Sequence, residues 1–193
     1  MKTKKKMAIF ASGAGSNATK LMSYFSNHPG IEVALLVTNN AECGAIKSAD
    51  ALGITSSLVN NVDFIEGETV LEKLKANSID YIVLAGFLRK IPSFIISHYE
   101  NKIINLHPSL LPKYGGKGMY GDHVHKKVKE NADKETGITV HLVDEVYDSG
   151  QKIAQFFTSV LPNDNVDQIR SKIKKLEYHY FPPTVEQFIL LNS

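Results

Sequence analysis

The chain has 193 residues, of which 43% are hydrophobic and 22% charged, and its formal net charge at pH 7 is +2. This composition is typical of a globular domain, and so small a net charge gives no reason to expect a nucleic-acid or membrane partner. Cys43 is the only cysteine, which excludes an intramolecular disulfide and a cysteine-based metal site. We therefore expect a cytoplasmic protein.

Residues 1–6 include four lysines and are predicted to form a disordered basic tail. The apolar run that follows, Met7–Ala11, has five residues, whereas the apolar region of a signal peptide needs about 7–15. No apolar run approaches the ~20 residues that span a bilayer. No repeat, low-complexity segment or linker divides the chain, so residues 1–193 are predicted to form a single domain.

Short apolar runs rich in β-branched residues alternate with helix-like patterns up to residue 107. The predicted strands are Met7–Ala11, Ile31–Thr38, Thr55–Val59, Tyr81–Leu84 and Ile103–Leu106. The predicted helices are Asn17–Ser26, Cys43–Leu52, Glu66–Lys75 and Pro92–Tyr99. Runs such as Val33–Val37 are apolar on both faces, as expected of strands covered by helices on both sides. This alternation predicts an α/β fold with a doubly wound, mainly parallel, Rossmann-like sheet.

After residue 107 the alternation changes. A glycine-rich loop at 115–118 is followed by a predicted helix, two strands and a last helix, at Asp122–Glu130, Gly137–Val143, Ile153–Leu161 and Val166–Leu191. Asn165 and Gln168 have the spacing of a helix N-cap and its capping-box partner. Pro182 and Pro183 are predicted to break or kink the last helix, because proline lacks the N–H that a helix needs.

A glycine-rich turn, SGAGSN at 12–17, joins the first strand to the first helix. It fits the dinucleotide pattern G-x-G-x-x-G/A, but the second strand ends without the acidic residue that would hold a ribose. We therefore predict that Gly15, Ser16 and Asn17 bind one phosphate at the helix N-terminus. A tight turn with serine as a helix cap is the alternative.

Asn105 and His107 lie at the predicted end of the fifth strand and point to the same face. Ligands bind beyond the carboxyl ends of parallel strands, where this imidazole could act as acid or base and this amide could donate to an oxyanion. Asp148, in a turn between the late strands, could reach the imidazole and raise its pKa. A strand-end histidine satisfied by backbone carbonyls is the alternative.

The other histidines receive no chemical role. His28, His98 and His179 are predicted to be structural, and His141 is left without a role although it could face the cleft. His123 and His125 are two residues apart on a helix and therefore face different ways, which argues against a metal site.

Five ordered motifs resemble the phosphoribosylglycinamide formyltransferase family: SGAGSN at 12–17, VLAGFLRKI at 83–91, NLHPSLLPKY at 105–114, GITVHLVDEVYDSG at 137–150 and KKLEYHYFP at 174–182. The resemblance covers residues 7–183. It implies a formyltransferase fold and transfer of the formyl group of 10-formyltetrahydrofolate, a co-substrate, to the amine of N1-(5-phospho-D-ribosyl)glycinamide. This is a step of de novo purine biosynthesis, and the resemblance implies no metal and no ATP.

The resemblance also implies roles for individual residues. Asn105 and protonated His107 would stabilise the oxyanion of a tetrahedral intermediate, and Asp148 would keep His107 charged and hold a water that carries the proton to the leaving N10. The nucleotide would contact Gly15, Ser16, Asn17, Lys174 and Glu177. The formyl-folate would contact Leu88, Arg89, Lys90, Ile91, Asn105, Asp144, Glu145, Val146, Tyr147 and Asp148.

Other functions remain open on the sequence alone. A formyltetrahydrofolate hydrolase would share the formyl-folate motifs, and a non-catalytic nucleotide-binding protein would share the glycine-rich turn. The expected partners are small-molecule substrates, without nucleic acid or membrane, and the expected state is a monomer or a homodimer.

Overall fold

A computed structural model describes residues 3–60, 62, 64 and 68–192. The chain divides into two compact units. The first contains the residues up to Ile104 together with those from Glu186 onward, and the second contains Asn105–Val185. Two elements, the fifth strand and the last helix, each have residues in both units.

The first unit is built on parallel strands. They are β1 (Lys5–Ala11), β2 (Ile31–Thr38), β3 (Thr55–Leu58) and β4 (Tyr81–Leu84), which hydrogen bond in the order β3-β2-β1-β4. The helices that follow them are α1 (Ser16–Phe25), α2 (Ala45–Ala51), α3 (Glu68–Ala76) and α4 (Ser93–His98). Consecutive residues of β1 are fully buried, so this strand is covered on both faces, as its apolar sequence predicts.

The second unit contains the end of β5 (Ile103–His107), α5 (Asp122–Glu130), β6 (Glu135–Leu142), β7 (Lys152–Ser159) and most of α6 (Val166–Leu191). Here the strand order is β5-β6-β7, and β6 pairs with β7 in antiparallel fashion. Over the described residues the strands form a seven-stranded, mainly parallel sheet, which confirms the predicted α/β fold class. Of the predicted helix at Glu66–Lys75, the described part is helical over Glu68–Ala76, and residues 66 and 67 lie outside the described residues.

The first strand begins earlier than predicted. Lys5 and Lys6, assigned from the sequence to a disordered tail, belong to β1 and pair with Ile31 and Glu32. The Lys5 N–H donates to the Gly30 carbonyl at 2.9 Å, and the Lys6 N–H donates to an Asp80 carboxylate oxygen at 2.8 Å. The backbone hydrogen bonds of β1 therefore include Lys5 and Lys6, although lysine side chains do not predict a strand. The predicted disordered tail is wrong at these two positions.

The last helix does not break at its prolines. α6 runs from Val166 to Leu191 with Pro182 and Pro183 inside it, so the predicted break is wrong. The flanking Phe181 and Val185 are almost fully buried, and this packing stabilises helical backbone despite two missing N–H donors. Neither α6 nor any other helix in the described part of the chain is long and apolar enough to cross a membrane.

Candidate active site

The glycine-rich turn is shaped by close packing against α2. Gly15, the residue before α1, has a left-handed backbone with φ of +71°. A Cβ atom at Gly15 would lie 2.4 Å from the Ala45 backbone nitrogen, whereas one at Gly13 would meet no atom within 4 Å. Both the positive φ and the approach of α2 therefore require glycine at position 15. Phosphate binding by Gly15, Ser16 and Asn17 stays a prediction.

Ser12 joins three segments at the end of β1. Its hydroxyl donates to Asn39 Oδ1 at 2.6 Å and accepts from the Leu88 N–H at 3.0 Å, while its carbonyl accepts from Asn40 Nδ2 at 3.0 Å. Sequence reasoning missed Ser12 and Asn39 as positioning residues. The available signal was a polar residue following directly on a buried strand.

The segment predicted to contact folate after β4 differs in exposure along its length. Leu88, Arg89 and Lys90 are exposed, whereas Ile91 is buried at 3%. The Leu88 N–H already donates to Ser12, so this backbone donor is engaged. Pterin recognition by the main chain of this segment stays a prediction, and we expect it to use backbone groups other than that N–H.

In the second unit, Asn105 is oriented by His141. Asn105 Nδ2 lies 3.0 Å from His141 Nε2, and His141 Nδ1 lies 2.8 Å from the Leu142 carbonyl oxygen. A carbonyl only accepts, so Nδ1 carries the proton and Nε2 of the neutral ring accepts from the Asn105 amide. This contact uses one amide hydrogen and leaves the second for another acceptor. Sequence reasoning gave His141 no role.

His107 has both ring nitrogens facing polar groups. Nε2 donates to the Tyr114 carbonyl at 2.8 Å, and Nδ1 lies 3.5 Å from Asp148 Oδ1. The His107 side chain is only 5% exposed. The alternative of a strand-end histidine satisfied by a carbonyl is therefore half right: one nitrogen is held in this way, and the other faces the predicted carboxylate.

Asp148 lies between the imidazoles of His107 and His141. The sequence predicts the contact with His107. Its Oδ1 is 3.5 Å from His107 Nδ1 and 3.6 Å from His141 Nε2, and its Oδ2 accepts from the Gly116 N–H at 2.8 Å. Its backbone φ is +57°, in the left-handed region. We call Asn105, His107, His141 and Asp148 the strand-end cluster. Among the described residues no group of His, Cys, Asp and Glu is arranged to hold a metal ion.

The electrostatics of the cluster correct one expectation. Burial lowers the pKa of His107 below its ordinary value of 6.5, and this outweighs the opposing effect of Asp148. The predicted rise in the His107 pKa is therefore wrong for the protein without ligands, although Asp148 does act in the predicted direction. Burial also opposes ionisation of Asp148, but contacts with His141, His107 and the Gly116 N–H together lower its pKa.

The remaining predicted residues lie in the loop before Asp148 and on α6. Asp144 accepts from the Val146 N–H at 2.9 Å and from the Ser149 hydroxyl at 2.8 Å, so its carboxylate shapes the loop. Glu145, Val146 and Tyr147 are exposed.

On α6, Lys174 Nζ lies 5.4 Å from the centre of the Tyr178 ring, and Glu177 lies one turn from Lys174. The roles of these residues in ligand binding stay predictions.

Comparison with known proteins places these features in one family. The model of the formyl transferase family matches residues 5–185. The chain is 35% identical to phosphoribosylglycinamide formyltransferase of Bacillus subtilis (strain 168), with 98% of this chain and 97% of the relative covered. It is 34% identical to the chloroplastic phosphoribosylglycinamide formyltransferase of Arabidopsis thaliana, covering 94% of this chain and 64% of the relative. The chain thus spans less than two thirds of the plant relative's length.

A solved structure gives the same relationship. The crystal structure of phosphoribosylglycinamide formyltransferase from Bacillus halodurans superposes with a TM-score of 0.86 at 32% identity, covering 96% of this chain and 95% of that one. The family match at residues 5–185 includes the glycine-rich turn, the strand-end cluster and most of α6. On these grounds the chain belongs to the formyl transferase family.

Proposed function

We propose that this protein transfers the formyl group of 10-formyltetrahydrofolate to the amine of N1-(5-phospho-D-ribosyl)glycinamide, in de novo purine biosynthesis. Family membership and the whole-length similarity to a bacterial phosphoribosylglycinamide formyltransferase support this reaction. The observation that carries the proposal is the strand-end cluster, which combines an amide donor, two imidazoles and a carboxylate in a buried setting.

The reaction begins when the substrate amine attacks the formyl carbon and forms a C–N bond. The formyl oxygen then carries the negative charge of a tetrahedral intermediate. Asn105 supplies an N–H to this oxygen, because His141 uses only one of its two amide hydrogens. A preorganised donor of this kind stabilises the oxyanion without reorganisation during the reaction.

His107 contributes through Nδ1. Its Nε2 is committed to the Tyr114 carbonyl, whereas Nδ1 lies at the long distance of 3.5 Å from Asp148 and is the nitrogen that can be shared with a substrate. Burial lowers the His107 pKa and so favours the neutral ring in the free protein. When the amine attacks, this ring takes up the proton that the attacking nitrogen loses, and the resulting imidazolium lies beside the oxyanion. Contacts that are long in a free enzyme commonly tighten in the complex.

Collapse of the intermediate breaks the bond between the formyl carbon and N10. The attacking nitrogen loses one proton and N10 gains one, which yields the formylated amide and tetrahydrofolate. His107 passes this proton on to N10, and Asp148, which its lowered pKa keeps ionised, stabilises the imidazolium until the proton is transferred. On this proposal a proton relay and an oxyanion donor carry out formyl transfer, and neither metal nor ATP takes part.

The ligand contacts follow the same proposal. The nucleotide phosphate binds at the turn formed by Gly15, Ser16 and Asn17, with Lys174 and Glu177 as further nucleotide contacts. The folate binds along 88–91 and 144–148. The proposed partners are these small molecules, and the protein binds neither nucleic acid nor membranes. We further propose that it is a single-domain cytoplasmic protein and a monomer or a homodimer.

The direct test is a turnover assay in which each substrate is omitted in turn. The purified protein is mixed with 10-formyltetrahydrofolate and the glycinamide ribonucleotide, and tetrahydrofolate is followed spectroscopically. We expect product only when both substrates are present. Release of formate from the folate without the nucleotide would indicate the hydrolase instead. Absence of turnover in a folded protein that binds neither substrate would overturn the proposal.

A further inference from the structure

Tyr114 has an unusual backbone at the point where it contacts His107. Its φ is +58°, in the left-handed region that residues other than glycine, asparagine and aspartate seldom adopt. In this conformation its carbonyl oxygen accepts from His107 Nε2 at 2.8 Å. Sparsely populated backbone conformations persist only where the surroundings hold them. The contacts of Tyr114 therefore decide whether this carbonyl stays in place.

The phenol of Tyr114 is anchored at the far end of α5. Its hydroxyl donates to Asp133 Oδ2 at 2.7 Å and accepts from Asn131 Nδ2 at 2.6 Å. Asp133 is also held, because Lys113 Nζ lies 2.6 Å from its Oδ1. The hydroxyl also lies 3.5 Å from the Lys127 carbonyl oxygen, but Asp133 is the nearer acceptor. The contacts with Asp133 and Asn131 fix the position and the rotation of the ring.

The peptide before Tyr114 is held as well. The Ser109 hydroxyl donates to the Lys113 carbonyl at 2.6 Å. With one contact on the preceding peptide and another on the phenol, the direction of the Tyr114 carbonyl is determined from both sides. The Gly115 N–H, which belongs to the same peptide as the Tyr114 carbonyl, donates to the Pro112 carbonyl at the longer distance of 3.3 Å. Removing the phenol contact leaves only these backbone contacts to hold a positive-φ residue, so we expect its carbonyl to turn away from His107 for part of the time.

We propose that Tyr114 is a positioning residue for His107. The phenol, anchored by Asp133 and Asn131, locks the carbonyl that keeps the imidazole proton on Nε2 and leaves Nδ1 as the working nitrogen facing Asp148. This inference rests on the proposed function for its catalytic meaning. The tautomer of His107, however, is a property of the free protein and is measured without any reaction.

The test is Tyr114→Phe, which removes the hydroxyl and keeps the ring. Imidazole ¹⁵N NMR at a pH where the ring is neutral reports the tautomer, with the His107 signals assigned from a His107→Asn variant. We expect the wild type to be the Nε2–H tautomer and the variant a mixture. We also expect kcat to fall about tenfold with KM values nearly unchanged, because the reacting group is misplaced and not lost. Tyr120→Phe, in an exposed tyrosine of the same loop, is the matched control.

A second pair of variants covers the case in which Tyr114→Phe fails to fold. Asp133→Ala removes the nearer acceptor of the phenol, and Glu130→Ala removes an exposed carboxylate of α5 that contacts Lys127 Nζ at 2.9 Å. We expect Asp133→Ala to shift the His107 tautomer and Glu130→Ala to leave it unchanged. An unchanged tautomer in whichever of Tyr114→Phe and Asp133→Ala folds would overturn the inference. A shifted tautomer in a protein without formyl transfer would support the positioning role and contradict the proposed function instead.

Discussion

His28 and His107 both lie beside a carboxylate, yet their nitrogens are arranged in opposite ways. His28 Nδ1 accepts from the backbone N–H groups of Gly30 and Ile31 at 3.2 and 2.9 Å, so it carries no proton. Its proton is on Nε2, which donates to Glu186 at 2.9 Å. The neutral ring therefore satisfies every partner, including a carboxylate whose pKa is lowered by hydrogen bonds from Tyr24 and His28.

At His107 the carboxylate faces the other kind of nitrogen. The proton of the neutral ring is held on Nε2 by the Tyr114 carbonyl, so Asp148 faces an Nδ1 that is bare until the ring becomes charged. At His28 every hydrogen-bonding group of the neutral ring already has a partner, so this histidine is structural. At His107 the ring gains a hydrogen bond to Asp148 when Nδ1 takes up a proton. A carboxylate near a histidine is therefore not enough to identify chemistry; the partner of the second nitrogen decides.

The largest expected effect is at Asn105. If the strand-end cluster is the reacting site, Asn105→Ala removes the oxyanion donor and kcat should fall by about 10²–10³. Steady-state kinetics with both substrates would measure this, and thermal unfolding would check that the fold is retained. Turnover equal to that of the wild type would remove Asn105 from the mechanism.

A somewhat smaller loss is expected for Asp148→Asn. Asparagine keeps an acceptor for the Gly116 N–H but removes the charge that raises the His107 pKa, so this pKa should fall further. We expect kcat to drop by about 10², the lower range for loss of acid–base assistance. An NMR titration of His107 with and without the substitution gives the pKa, and an unmoved pKa would contradict the pairing.

For His28 the comparison predicts an effect on stability and none on turnover. His28→Ala leaves the Gly30 and Ile31 N–H groups without their acceptor, at a cost of about 1–3 kcal/mol in the free energy of unfolding. Urea unfolding measures this loss, and kcat at a temperature where the variant is folded should equal that of the wild type. A lowered kcat in the folded variant would show that the distinction between the two histidines is incorrect.

The smallest expected effect is a pH dependence of stability. Because the folded-state pKa of His107 is below the ordinary 6.5, the unfolded chain binds more protons once the pH falls below that value. The free energy of unfolding should therefore decrease as the pH falls through 6.5. Burial also lowers the pKa of His125, which therefore contributes in the same direction. Urea unfolding across this pH range, carried out on the wild type and on His107→Asn, separates the contribution of His107 from that of His125. An identical pH dependence in the variant would contradict the lowered pKa.

Much of the fold is predictable because its signals are local. Ile31–Thr38, Tyr81–Leu84 and Asp122–Glu130 have the same bounds in the structure as in the sequence-based prediction, since apolar periodicity starts and stops where the elements do. Lys5 and Lys6 were missed because their strand conformation depends on partners distant in sequence. The continuous helix through Pro182 was missed for a related reason, since burial of its neighbours overrides a local rule.

The candidate site divides in the same way. Asn105, His107 and Asp148 could be brought together from the sequence, because strand ends and a turn place them predictably. The roles of His141 and Tyr114 could not, because they depend on which nitrogen carries a proton and on the direction of one carbonyl. The sign of the His107 pKa shift was also missed, since burial is a property of the packed structure.

The left-handed backbone of Asp148 has a consequence for how this position tolerates change. Aspartate, asparagine and glycine adopt a φ near +57° far more readily than other residues. In a library with every residue at position 148, selection for folded protein alone should enrich these three. Selection for growth that depends on formyl transfer should then retain aspartate among them. The difference between the two enrichment patterns would separate the constraint imposed by backbone shape from the constraint imposed by charge.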